Sequence, residues 1–80
     1  MMQTEEVNLK KYTRKAIRKF LQDLNNHKTS NLMAFVMDEI EKGIILEVLD
    51  FTNDNQTQSA EILGITRTTL RNKIKKHHLK

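Results

Sequence analysis

The residues with the most chemistry to offer lie in the stretch GITRTTLRNKIKK, Gly64 to Lys76. On a helix Leu70 and Ile74 would share one face, leaving Arg67, Thr68, Arg71, Asn72 and Lys75 to point away from it. Arginine has the donor fork that grips guanine O6 and N7 together, so Arg67, at the leading end, is the best base reader. Thr69, Lys73 and Lys76 flank that face and suit phosphates. Asn55 and Thr57, in the NQTQ segment just upstream, offer side-chain and backbone donors to a further phosphate. This is binding chemistry aimed at a polyanion. A solvated charged face would contain the same residue types. What separates the two readings is the turn that precedes the basic residues.

Catalysis and metal binding have no comparable set. There is no cysteine, which excludes disulfides and thiolate metal sites. The three histidines, His27, His77 and His78, form no ligand set. Adjacent helical residues such as His77 and His78 point about 100° apart, and they are expected to fray the helix end or meet phosphate. No glycine-rich phosphate loop, carboxylate pair or activated nucleophile is present. Glu39 and Glu41 stand on opposite faces of one helix. No enzyme and no cofactor are expected.

Charge is divided unevenly along the 80 residues, whose net charge is +4. The segment up to Thr29 carries a net +4, Ser30 to Asp54 a net −5, and Asn55 onward a net +5. That asymmetry points to a polyanionic partner for the last third. A chain this short forms one domain of marginal stability, and without disulfides or a metal, oligomerisation is the remaining remedy. The longest apolar run, Leu32-Met33-Ala34-Phe35-Val36-Met37, is too short to span a bilayer. The N-terminus lacks the apolar core of a secretory signal, so a cytoplasmic location is expected.

The elements that must position the basic residues follow from periodicity. Residues 1–8 show no pattern and are expected to be disordered. Leu9, Tyr12, Ala16, Ile17, Phe20, Leu21 and Leu24 make a helical stripe, and NNHKTSN then suits a turn. A second helix should run from Asn31 or Leu32 to about Thr52. Its half from Ile44 to Phe51 is apolar on more than one face, more than one neighbouring helix would cover. That excess, with Ile45 and Leu49 within it, points to self-association. Gly43 marks a kink, a close crossing or a merely tolerated glycine. Asn55 is a good N-cap, with Gln58 completing a capping-box pattern. The third helix is Gln56 to Leu63, with Ala60 and Leu63 inward and Ile62 partly so. Gly64 supplies the left-handed turn, Ile65 packs back, and Thr66 caps a fourth helix from Arg67 to about His77. A short helix, a glycine turn and a basic helix describe a helix-turn-helix; an ordinary helical hairpin is the alternative. The fold class is all-α. Residues 9–54 are expected to form a pairing region and residues 55–80 a DNA-binding unit.

NQTQSAEILGITRTTLRNKIKK resembles the C-terminal signature of the Fis family, bacterial nucleoid-associated DNA-bending proteins. AIRKFLQDLN and VMDEIEKGIILEVLDFTNDNQT extend the resemblance upstream, so that it covers roughly Leu9 to Lys80. It implies an all-helical homodimer whose first two helices intertwine, with two helix-turn-helix units on one face of the pair. Those units sit closer together than successive major grooves of straight DNA, so binding would bend the duplex and depend on its deformability. The family's contacts fall on Asn55, Thr57, Thr66, Arg67, Thr69, Arg71, Asn72, Lys73 and Lys75. The chain departs from the family at Gln58 and Asn72, where basic residues are usual, at Thr66, where asparagine is, and at Gly43, where a proline kinks the second helix. Only eight residues precede Leu9, too few for the hairpin arm with which such proteins activate a recombinase, so recombinase activation is not expected. A gene-specific helix-turn-helix transcription factor is the nearest alternative. A helical protein–protein adaptor with a basic surface is the alternative from another class, and a steep salt dependence of binding would exclude it.

Overall fold

A computed structural model describes residues 8–24 and 31–79 of the chain. The expectations for the disordered N-terminal segment, for the turn over 25–30 and for Lys80 lie outside those residues. Among the described residues there are four helices and no strand: α1 (Leu9–Leu24), α2 (Leu32–Phe51), α3 (Gln56–Leu63) and α4 (Arg67–His77). The periodic stripes and caps of the sequence thus locate all four helices. Two compact units result, Met1–Ser30 and Asn31–Lys80.

In the first unit the Asn8 side-chain oxygen accepts from the Lys11 N–H at 2.9 Å, closing the N-terminal turn of α1. No residue of α1 is buried. Leu9, Tyr12 and Leu21, all on its apolar stripe, are exposed.

The second unit holds the core. Ile45, Leu49, Ala60, Leu70 and Ile74 form it, with Leu63, Ile65 and Leu79 packed against them. α3 packs on α2 and on α4. Ala60 faces the crossing, as a short side chain there requires. Ile62 differs from expectation: it is exposed, because α3 is covered on one side only.

α2 is 20 residues long, about 30 Å, and it has two apolar faces. Ile45 and Leu49, 2% and 1% exposed, lie on the face that meets α3 and α4. Met33, Met37, Ile40, Ile44 and Phe51 recur at helical spacing along the other face, and all five are exposed. The sequence placed Ile45 and Leu49 in the self-associating excess. The structure assigns them to their own chain's core and leaves the excess on the adjoining stripe, where Met37, Ile40 and Ile44 share a cavity with Ile45, Leu63 and Ile65. Gly43 lies within the continuous helix, and a Cβ built there meets nothing within 4 Å. Within the chain it is a tolerated glycine, not a crossing point.

Three helix ends close in the same way. A residue with positive φ follows the helix, and the next N–H reaches back five residues to a core carbonyl. After α2, Asn53 (φ 55°) precedes Asp54 (φ 66°), and the Asp54 N–H donates to Leu49 O at 2.8 Å. After α3, Gly64 (φ 74°) lets Ile65 N–H reach Ala60 O at 3.1 Å. After α4, His78 (φ 55°) lets Leu79 N–H reach Ile74 O at 3.0 Å. Ile65 and Leu79 are thereby turned onto the core they close.

The joint between α2 and α3 is pinned by two hydroxyls. Thr52 Oγ1 lies 2.6 Å from Ser59 Oγ, and Ser59 is fully buried. The Leu49 and Asn55 carbonyls, each 3.3 Å from Thr52 Oγ1, supply acceptors, so neither hydroxyl is left without a partner in the core.

Gly64 and Gly43 separate two effects of adding a methyl group. At Gly64 a Cβ meets nothing within 4 Å but φ is 74°, so Gly64→Ala should cost about 1–2 kcal/mol through the backbone alone. At Gly43 there is neither obstruction nor positive φ, so Gly43→Ala should stabilise by up to about 1 kcal/mol. Denaturant melts of the two variants check both signs. A loss at position 43 would mean that another chain approaches there.

Candidate nucleic-acid interface

The basic helix is held by caps that the sequence announces. Asn55 Oδ1 accepts from Gln58 N–H at 3.0 Å, and Thr66 Oγ1 accepts from Thr69 N–H at 3.1 Å. The Thr66 hydroxyl in turn donates to Thr69 Oγ1 at 2.8 Å. The capping box at Asn55 takes a different second half, since Asn55 N–H donates to Thr52 O at 3.2 Å. Asn55 and Thr66 thus commit side-chain oxygens to their own helices. Asn55 and Thr57 stand exposed at the start of α3.

With Leu70 and Ile74 buried, the other side of α4 faces outward. Arg67, Thr68, Arg71, Asn72, Lys75 and Lys76 are exposed. Thr68, Arg71, Asn72 and Lys75 line one shallow concavity along it. Among the described residues no ion pair engages Arg67, Arg71 or Lys75. Thr69 is half-buried beside its capping partner.

Lys73 is placed differently from the set with which it was expected. Its ammonium lies 2.6 Å from Glu41 Oε1 of α2, so this cation faces the protein and not the open side of α4. His77 also departs from expectation. Its ring, 3% exposed, lies with Nδ1 3.8 Å from Asp38 Oδ1 and Nε2 3.7 Å from Glu41 Oε1. It neither frays the helix nor faces outward, and His78 takes over as the helix-ending residue. Asp38 is also held by Lys42, at 3.6 Å, and Lys42 reaches Glu39 at 2.8 Å. Among the described residues no three such side chains are gathered to hold a metal ion.

The close Lys73 ammonium, aided by the charges of His77 and Lys76, holds the Glu41 carboxyl below the usual carboxylate range against the opposing effect of burial. A hydrogen bond to Glu39 likewise raises Lys42 above the usual lysine value. Nothing in the sequence marks Asp38 or Ser59, and Glu41 stands out there only as a carboxylate on the face opposite Glu39. The only local signal linking Asp38 to Glu41 was their i, i+3 spacing on α2, which faces the i, i+4 pair Lys73 and His77 on α4.

The arrangement is a helix, a glycine turn and a second helix with an open cationic face, all anchored on a longer helix. The sequence pattern described as "Bacterial regulatory protein, Fis family" matches residues 36–77, which spans α2 from Val36 through α4. A DNA-binding protein Fis from Mannheimia haemolytica is 38% identical over 77 residues, covering 94% of this chain and 79% of that protein. The DNA-binding protein Fis of Buchnera aphidicola (subsp. Acyrthosiphon pisum, strain 5A) is 32% identical over 80 residues, 95% of this chain and 82% of that one. That of Proteus mirabilis (strain HI4320) is 32% identical over 75 residues, 94% and 76%. No helix among the described residues is long and apolar enough to cross a membrane. The match across the helix-turn-helix and its supporting helix, together with relatives aligned over most of both chains, shows that this chain belongs to the Fis family of bacterial regulatory proteins.

Proposed function

We propose that the chain is a DNA-binding, nucleoid-associated regulator of transcription that works as a homodimer and bends the duplex it binds. It acts by binding and not by catalysis. The observation that carries this reading is the open face of α4, where Arg67, Arg71 and Lys75 lie without an ion-pair partner among the described residues while Lys73 behind them is already paired. Placed in a major groove, α4 leads with Arg67, which reads a guanine edge. Arg71 and Asn72 follow toward bases and backbone, and Lys75 toward phosphate. Thr66 and Thr69 approach the backbone at the helix start, and Asn55 and Thr57 meet a neighbouring phosphate from α3. The exposed stripe Met33, Met37, Ile40, Ile44 and Phe51, with the uncovered face of α1, is the surface through which two chains pair. The nucleoid is the proposed place of action.

Gel shifts on random duplex DNA over a salt series, with a bend readout by circular permutation, test the proposal. Affinity should fall linearly on logarithmic axes, with a slope of about −0.9 per phosphate neutralised, and mobility should depend on where the site lies in the fragment. Salt-independent association would favour an adaptor. Binding confined to a few sequences without bending would favour a gene-specific regulator.

A further inference from the structure

Lys73 and Glu41 come from different helices, one from the candidate DNA-binding helix and one from the helix that supports it. Their charged atoms are 2.6 Å apart, with side chains 34% and 30% exposed. At 3.6 residues per turn Lys73 lies roughly 60° round α4 from Leu70, on the flank turned toward α2. The nearly enclosed His77 ring, one turn further on, faces Asp38 and Glu41 on the same side. Lys73 therefore sits beside the outward cations but is neutralised from within. Counterion release on DNA binding counts only those cations that neutralise phosphates, so a lysine held by a carboxylate adds nothing to it.

We infer that Glu41 is an affinity-setting residue: it holds Lys73 as a latent phosphate contact and keeps that cation out of the DNA interface. The inference rests on the proposed use of α4 for DNA. Two further features support it. The pair is only partly screened by water, so its attraction exceeds that of a fully exposed pair. Lys42, the single lysine of α2, is already occupied by Asp38 and Glu39 and does not compete for Glu41. Removing the Glu41 charge while keeping its shape should release Lys73 to a phosphate without disturbing the core, which lies at Ile45 and Leu49 on the same helix.

The test is the salt dependence of binding to one fixed duplex, measured by fluorescence anisotropy for wild type, Lys73→Ala, Glu41→Gln, the double variant and Arg71→Ala. Lys73→Ala should leave the slope at its wild-type value. Glu41→Gln should steepen it by about 0.9 per subunit. For a dimer this means about a 12-fold greater loss of affinity between 50 and 200 mM salt. The double variant should return to the wild-type slope. If Lys73→Ala alone flattens the slope, Lys73 already contacts phosphate and the inference is wrong. If the double variant stays as steep as Glu41→Gln, the effect is general electrostatics and the inference again fails. Arg71→Ala flattening the slope while Glu41→Gln leaves it unchanged overturns the Glu41 role alone. If neither moves it, α4 is not the DNA face and both readings fall.

Discussion

Ile44→Asp should yield a folded chain that sediments as a monomer, whereas Leu49→Asp should not fold at all. The two residues stand on one helix but on different faces. Leu49 is 1% exposed and is packed with Ile45, Ala60, Leu70 and Ile74. Replacing it loses a buried leucine, worth about 2–5 kcal/mol. It also places a carboxylate where there is no partner, adding a further penalty. A core this small supplies no more than about 3–5 kcal/mol of net stability, so the sum exceeds what is available. Ile44 is 49% exposed, and aspartate there meets water in an isolated chain. In the proposed dimer it would bury an unpaired charge in the middle of an apolar stripe. Circular dichroism and sedimentation of both variants decide the matter. A dimeric Ile44→Asp would exclude the stripe as the pairing surface, and a wild type that sediments as a folded monomer at micromolar concentration would end the dimer proposal altogether.

Arg67→Ala and Arg71→Ala should weaken DNA binding in different ways. Arg67 is the first residue of α4 and enters the groove ahead of the rest. Its loss should erase base preference at one position per half-site, about 1–3 kcal/mol for a bidentate contact. Arg71, one turn later, shares its concavity with Thr68, Asn72 and Lys75 and is placed to touch backbone as well as bases. Its loss should reduce affinity for every sequence and flatten the salt slope by about one unit per subunit. Competition binding against a set of single-base variants separates the two patterns. An Arg67→Ala protein with unchanged affinity and unchanged preference would remove α4 from the role of reader.

Much of this was legible in the chain itself, because it is set locally. The periods of the apolar residues fixed α1 and α2, and Asn55, Gly64 and Thr66 fixed where α3 and α4 begin and end, since cap and turn chemistry operates within a few residues. Periodicity showed that α2 has two apolar faces but not which neighbour each one meets. For that reason Ile45 and Leu49 were expected in the pairing surface and proved to be core. The same limit hid the Glu41–Lys73 pair, whose members are far apart in sequence and are brought together only by the crossing of two helices. Ser59 looked like any surface serine in a polar stretch. Its burial depends on Thr52, whose hydroxyl makes an apolar setting acceptable. His78 as a left-handed helix terminator had no signal of its own, because glycine or asparagine is the usual residue there.

The bond between Thr52 and Ser59 has a use beyond holding two helices together. A hydroxyl proton in open water exchanges too quickly to be seen by magnetic resonance, while one sealed in a core exchanges only when the structure around it opens. This pair, 2.6 Å apart with Ser59 at 0% exposure, therefore acts as an internal clock for the opening of the α2–α3 joint, and reading it requires no label. Because the bond joins two uncharged groups, it reports on the α2–α3 joint and not directly on the cations of α4. Opening of the scaffold and loosening of the grip on a polyanion can thus be timed separately in the same molecule.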